Sequence, residues 1–428
     1  MVDNGAAIGF SLGSFCQATL RVTDMTNEGF DYLTLTIPFI AGAVGWLTNV
    51  LAVKMMFHPI EFVGIKPFLG WQGIVPANAL RLAGTGLKLV TSQLLKVPEL
   101  FEDFNATTFV DEHGARIREL TRKSIAEKAA EHFPQMWNAL SPQIKEQVFA
   151  LAESEVMKMS ADVMEHAAEH IEELLDVEQV VTDAVVADKE LMNRVFLTVG
   201  SKEFKFIEVS GFYFGFLFGL VQFGVWILFP AVWVLPVFGF LVGYVTNWLA
   251  LKLIFEPRLP KKYGPFTVQG LFHKRQVAIA KEFSEIVSLK VFTASNLFQE
   301  FSKDGSREAM MAMVRSKAEA LIERYKSNPM AAMMMKPDLV AQLEADLLAD
   351  VESEMYREEG MIYAFTDKSE DIRQKLVERM AVMDPEGFEN VLRPAFKQDE
   401  WKLILAGAVL GLAAGIVQLV TMFADSVL

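Results

Sequence analysis

The stretch PFIAGAVGWLTNVLAVKMMFHP, residues 38–59, returns in altered form as PVFGFLVGYVTNWLALKLIFEP, residues 236–257. Pro38, Gly45, Thr48, Asn49, Leu51, Ala52, Lys54, Phe57 and Pro59 recur about 198 residues later as Pro236, Gly243, Thr246, Asn247, Leu249, Ala250, Lys252, Phe255 and Pro257. Each copy is an apolar run of helix length carrying a Thr-Asn pair, and polar side chains inside such a run are costly in a bilayer. Two pairs in one register point to duplication of a working unit, without naming its work.

Hydropathy sets the class. Residues 212–251 contain no Asp, Glu, Lys, Arg or His, and 40 residues exceed one span of about 20. Pro230 and Pro236 divide this run into two spans with a tight turn. Residues 32–53 and 403–424 are two further uncharged runs of 22 residues each. The expected fold is an all-α integral membrane protein with four transmembrane helices in two parallel internal repeats, each with a helical cytoplasmic insert. Its segments are 1–31 (extracytoplasmic or interfacial), span 32–57, insert 58–208, spans 209–229 and 234–255, insert 256–400, and span 402–424.

Charge orients the spans. Residues 1–31 carry four acidic side chains against one basic, residues 58–97 four basic against one acidic, and residues 256–290 seven basic against three acidic. Under the positive-inside rule both termini lie outside and both large polar segments lie in the cytoplasm. Trp226 and Trp233 flank the uncharged outer turn, as interfacial aromatics do. The N-terminus opens Val2-Asp3-Asn4 without a basic region, unlike a cleaved signal peptide. Residues 6–20 are apolar but short for a span, and Cys16 is the only cysteine, so no internal disulfide forms. Residues 99–200 hold 21 acidic and nine basic side chains, a balance that argues against nucleic acid. Basic residues beside the membrane suit anionic lipid headgroups.

The repeat extends past its opening motif. Gly211, Gly215, Gly219 and Gln222 return as Gly407, Gly411, Gly415 and Gln418, offset by 196. Small residues four apart let helix backbones approach closely, so these glycines are helix-packing positions, between the two halves or between subunits. Thr48, Asn49, Thr246, Asn247, Gln222 and Gln418 are the intramembrane polar residues. They serve either as sites for an ion, small solute or lipid, or as interhelical hydrogen-bond partners. Lys54 and Lys252 sit at the inner boundary, where they reach lipid headgroups. Each Thr-Asn span leads into a loop rich in proline, glycine and aromatics, residues 67–73 and 265–270, read as a re-entrant, interfacial or ordinary turn. An amphipathic helix over 77–97 follows the first.

The inserts read as helices, at about 99–205 and 288–400, that pack together. Ile144, Val148, Leu151, Val156, Met159, Val163, Ala167, Ile171 and Leu174 form a stripe with a coiled-coil-like seam. Pro134 and Pro142 separate it from a helix over 115–131, and breaks are expected at Asn328-Pro329, Lys336-Pro337 and Asp384-Pro385. No strand pattern stands out. Methionine clusters at Met310, Met311 and Met313 and at Met330, Met333, Met334 and Met335 fill a core or line an adaptable surface.

Catalytic signatures are missing. His166-Ala167-Ala168-Glu169-His170 fits H-x-x-E-H, but it belongs to a long acidic helix with no visible pocket, and the other repeat lacks it. Gly84-Thr85-Gly86 has neither a third glycine nor a preceding strand. The reading therefore assigns no catalytic residue, no metal and no cofactor. The expected partners are membrane lipids, further copies of the chain and a cytoplasmic protein.

Four blocks carry a resemblance: GAVGWLTNVLAVKMMFHP, GYVTNWLALKLIFEP, KEFKFIEVSGFYFGFLFGLVQ and FENVLRPAFKQDEWKLILAGAVLGLAAGIVQ. Taken in their order along the chain, they resemble the bacterial domain-of-unknown-function family numbered 445, the YheB/YjiN-like proteins, over about residues 32–424. The resemblance implies a bacterial inner-membrane protein with helical cytoplasmic inserts and transfers no catalytic residue. The functional expectation is a non-enzymatic scaffold or membrane-organising protein that oligomerises and presents an ordered helical assembly. The alternative is a transporter or channel for an ion, small polar solute or lipid using the duplicated Thr-Asn sites.

Overall fold

A computed structural model describes residues 35–422, except 66–68, 95, 103, 230, 232, 327–336, 359, 394–396 and 398–399. Residues 1–34, with Cys16 and the apolar segment 6–20, the second methionine cluster and the break at Asn328-Pro329 lie outside the described residues. Among the described residues the chain is mostly helical and carries four helices long and apolar enough to cross a membrane. These are span 1 (Ile37–Phe57), span 2 (Ser201–Leu228), span 3 (Val234–Phe255) and span 4 (Glu400–Met422). Spans 1 and 3 stop where His58 and Glu256 precede proline and turn extended, because a following proline disfavours the α conformation. Both of these X-Pro bonds are cis. Span 2 begins eight residues before the expected 209, since Lys202, Glu203, Lys205 and Glu208 are good helix formers. Their charges mark the edge of the apolar run, not the end of the helix.

Two compact units form. The first contains the described residues of Met1–Gly86, Asp188–Phe283 and Ala381–Leu428. Within it span 1 packs on span 2 and span 3 on span 4, and spans 2 and 3 join the two pairs. A Cβ on Gly45 would fall on the Gly211 carbonyl, and one on Gly243 on the Gly407 carbonyl. Gly219 lies against Pro38 and Ala41, Gly215 against Ala41, Gly411 against Gly239 and Gly415 against Leu235. The glycine faces thus close each helix pair internally, where the sequence reading set them between halves or subunits. Outward faces present Phe39, Leu217, Val221, Leu228, Val409 and Val417, as a lipid-facing surface does. Trp233 is exposed between spans 2 and 3, but Trp226 is buried with Ile37, Val234 and Leu235. It is therefore a core residue, not an interfacial anchor.

Two short hairpins correct the expectation of no strands. β1 (Val63–Ile65) pairs antiparallel with β2 (Leu69–Trp71), and β3 (Lys261–Tyr263) with β4 (Phe266–Val268). Strands of three residues are too short to display alternation, which explains their absence from the sequence pattern. Gly264 turns the second hairpin at φ +60°, a left-handed conformation suited to glycine. Each hairpin is stitched to the preceding proline: Gly73 N–H donates to Pro59 O and Gly270 N–H to Pro257 O, both at 2.9 Å. The helix after the first hairpin runs Ala79–Leu89 and ends in a π-helical turn, Val90–Leu94, short of the expected 97.

The second unit comprises Leu87–Ala187 and the described residues of Ser284–Met380. Helix Gly114–His132 ends before Pro134, and helices Pro134–Ala139 and Pro142–Glu169 each start on a proline, with Ser141 accepting from Ile144 N–H as an N-cap. The expected stripe splits. Val163, Met164 and Ala167 are buried, whereas Ile144, Val148 and Leu151 are 45, 36 and 53% exposed. At about 100° per residue, spacings of three to five drift around the helix, so the two sets occupy different faces. Phe365 is fully buried against Phe101, Phe104, Phe109 and Phe301, with ring centroids 4.8–6.3 Å away. That cluster joins both inserts in one core. Met310 is fully buried within this unit.

Candidate functional site

The repeated Thr-Asn pairs lie on the inner faces of spans 1 and 3. All four side chains are buried, and Asn49 and Asn247 are 0% exposed. Asn49 Nδ2 donates to Ile207 O across the first helix pair at 2.7 Å. Asn247 Nδ2 donates to Leu403 O across the second at 3.0 Å. The threonines turn inward: Thr48 Oγ1 donates to Gly45 O at 3.1 Å and Thr246 Oγ1 to Val242 O at 2.8 Å, both in their own helices. Glycine is required opposite each amide, because a Cβ on Gly211 or Gly407 would collide with Asn49 or Asn247. Each Asn keeps one buried oxygen, Oδ1, without a hydrogen-bond partner. Gln222 and Gln418 are buried in spans 2 and 4. Lys54 and Lys252 stay exposed in the last turns of spans 1 and 3, with Lys252 Nζ 5.0 Å over the Trp248 ring.

This geometry sets the size of the amide contribution. Asn49→Leu and Asn247→Leu each lower the stability of the membrane unit by about 0.6 kcal/mol, with about 1.7 kcal/mol as a ceiling. Unfolding titrations in detergent measure this. A loss of several kcal/mol per site would mean the amides hold more than one helix contact.

Polar groups collect where spans 1 and 3 end and spans 2 and 4 begin, and the sequence reading singled out none of them for a role. Asn193 Nδ2 caps span 1 by donating to Phe57 O at 2.7 Å. Arg275 bridges Glu203, at 2.6 Å, and Glu282, at 3.1 Å. Glu389 is buried beside Arg258 (2.6 Å), Arg393 and His273 (3.5 Å), and Arg393 also reaches Glu400 at 3.3 Å. Beneath the bundle a cavity of about 70 Å³ is walled by Met56, Val75, Ile207, Ile254, Phe272 and Leu403, with Glu203 and Glu400 on its lining. The local signal for these residues is weak. Arg258 and Glu389 are 131 residues apart, and each alone reads as a surface charge.

Burial holds the His273 imidazole below its ordinary pKa, against the upward pull of nearby Glu389. For Glu389 burial acts upward, but the bonds from Arg258 and Arg393 outweigh it and the carboxyl sits below its ordinary value. Both shifts have one consequence. The unfolded chain takes up a proton at histidine below about pH 6.5, and at glutamate below about 4.3, more readily than the folded one. Stability is therefore full at neutral pH and falls on acidification, first through His273 and then through Glu389. Six of the seven tryptophans lie in this unit, so their fluorescence follows its thermal unfolding. The midpoint should fall between pH 7.5 and 5.5, and His273→Gln should flatten that interval while leaving the loss below pH 4.5.

Among the described residues of the second unit, two groups bring three potential metal ligands together: His166, Glu169 and His170, and Glu131, His132 and Asp346.

Relatives bear on class alone. Over 123 residues the chain is 24% identical to a UPF0754 membrane protein of Staphylococcus aureus strain JH9, and equally to that of strain Newman. The match covers 28% of this chain and 33% of each relative, so the chain spans about a third of the length of the curated relatives it matches. No family model matches, and no solved structure does. This is a multi-pass membrane protein. Its four apolar helices and its distant, partial similarity to proteins named for the membrane agree on that point.

Proposed function

We propose that the protein is a non-enzymatic bacterial inner-membrane scaffold, in which a four-span bundle anchors a helical cytoplasmic body that self-associates. The observation that carries this reading is the exposed apolar face of Ile144, Val148 and Leu151 on the 28-residue helix Pro142–Glu169. Their spacing is that of a helix–helix seam, and the occupant is the same face of a second copy. The membrane unit fits an anchoring role, since its repeated Asn49 and Asn247 amides are engaged in holding helices together. Two parallel repeats are supported by the matched Asn-to-carbonyl bonds and the matched hairpin closures. The charge balance of the loops supports outer termini and cytoplasmic inserts. The four sequence blocks and the partial similarity to UPF0754 membrane proteins support a place in the family numbered 445.

Reconstitution in nanodiscs and native membrane vesicles, imaged by electron microscopy, tests the proposal. Ordered assemblies are expected, and Val148→Glu with Leu151→Glu should disperse them. A dispersed monomer at high density in bilayers would end this reading.

A second reading, transport of an ion, small polar solute or lipid, draws on the partnerless buried Oδ1 atoms of Asn49 and Asn247. It requires that Asn49→Leu combined with Asn247→Leu abolish flux in proteoliposomes while the bundle stays folded. The scaffold reading requires the same double variant to assemble normally.

A further inference from the structure

The H-x-x-E-H segment does not line the cavity at the span ends, and its geometry is that of a metal-binding surface. One ligand atom each from His166, Glu169 and His170 lies within 4.8 Å of the other two. The imidazole rings stand 4.1 Å apart, and His166 Nδ1 is 3.9 Å from the Glu169 carboxylate. His170 Nδ1 lies 3.0 Å from His166 O. A carbonyl accepts only from a protonated nitrogen, so the neutral ring carries its lone pair on Nε2. This is the arrangement in which a backbone oxygen orients a metal-binding histidine. Ligands on one tetrahedral zinc ion sit roughly 3.3 Å apart for bonds of about 2.0–2.1 Å. Glu169 is exposed while His166 and His170 are half-buried, so rotation of the glutamate side chain covers most of the difference.

Charge favours a cation here. Residues 159–188 contain nine acidic side chains and no Lys or Arg. Among the described residues Glu169 forms no ion pair with Lys or Arg. The other three-residue group lacks this advantage, since Lys128 Nζ lies 3.5 Å from Asp346 and His132 Nε2 already contacts that carboxylate at 3.1 Å. An ammonium there takes the cation's place.

We propose that His166, Glu169 and His170 bind one divalent transition-metal ion of the zinc class, with the fourth position left to water. Two histidines and one carboxylate select borderline metals over magnesium, which prefers oxygen ligands. His166 lies in the last turn of Pro142–Glu169, and His170 is the residue between that helix and Ile171–Leu174. The ion therefore ties the end of the long helix to the chain that follows it.

The experiment uses the full chain in nanodiscs, with any polyhistidine tag removed. Zinc chloride is titrated by calorimetry, and cobalt(II) binding is followed by its visible absorption. One saturable site per chain is expected, with a rise in the unfolding temperature that magnesium does not reproduce. His166→Gln or His170→Gln should weaken binding by more than about tenfold, with helical content unchanged by circular dichroism. His132→Gln should leave binding intact. Absence of saturable binding, binding that survives both His166→Gln and His170→Gln, or binding lost in His132→Gln would each overturn the assignment.

Discussion

Phe365→Ala should destabilise the second unit by about 3–5 kcal/mol, the usual cost of deleting a fully buried phenylalanine. Phe365 sits on the helix Met361–Thr366 and is fully excluded from solvent. Its ring meets Phe101 at 4.8 Å, Phe104 at 5.1 Å and Phe301 at 5.9 Å. Phe101 and Phe104 come from the first insert, Phe301 and Phe365 from the second, so truncation removes the ring on which both converge. Phe109 and Phe301 are held by their own helices, Ala106–Glu112 and Ala294–Phe301, whereas Phe101 and Phe104 lie outside helices and relax partly into the space, which puts the loss near the middle of the range. Limited proteolysis reads the outcome, with cleavage expected within 87–187 and 284–380. Tryptophan fluorescence, dominated by the membrane unit, should change little because only Trp137 lies in the second unit. A shift below about 1 kcal/mol would show that Phe365 does not organise this core.

Gly243→Leu should cost about 3 kcal/mol, the upper part of the usual range for overpacking. A Cβ at this position falls on the Gly407 carbonyl oxygen and lies 3.3 Å from Ala408 Cα. Those obstacles are backbone atoms, which have no rotamer to change. Span 4 must move away, and Asn247 then loses its acceptor on Leu403. Gly45→Leu should act alike on the first pair, against the Gly211 carbonyl. Gly224→Ala is the matched control, since nothing lies within 4 Å of the added methyl. It should be neutral or stabilising, because alanine is the better helix former. Unfolding in detergent measures all three, and equal losses for Gly224→Ala and Gly243→Leu would deny the close-packing argument.

The four membrane helices are legible in the sequence because their cause is local. An uncharged run of about 20 residues satisfies its own backbone only as a helix when it lies in hydrocarbon. The proline after His58 and that after Glu256 mark helix ends for an equally local reason. The glycine and Thr-Asn positions are also visible in sequence, but not what they touch. Thr48 and Asn49 are adjacent, yet one bonds within its helix and the other crosses to a carbonyl 158 residues away. Only the approach of two backbones, permitted by Gly45 and Gly211, decides that difference. The hairpins escape notice because three-residue strands have no period to read. The stripe on Pro142–Glu169 misleads because apolar spacing specifies a face only while the drift around the helix stays small.

What the sequence by itself determined is therefore the membrane class, the number of apolar helices and the positions where polar atoms enter them. Only the tertiary structure decided which of those atoms meet, and which charges are buried. Glu389 and Arg258 become partners because the end of span 3 and the helix Pro385–Leu392 are folded against each other. Hydropathy and helix propensity act between neighbours in the chain, whereas a hydrogen bond or an ion pair needs two groups within a few ångströms, wherever along the chain they lie.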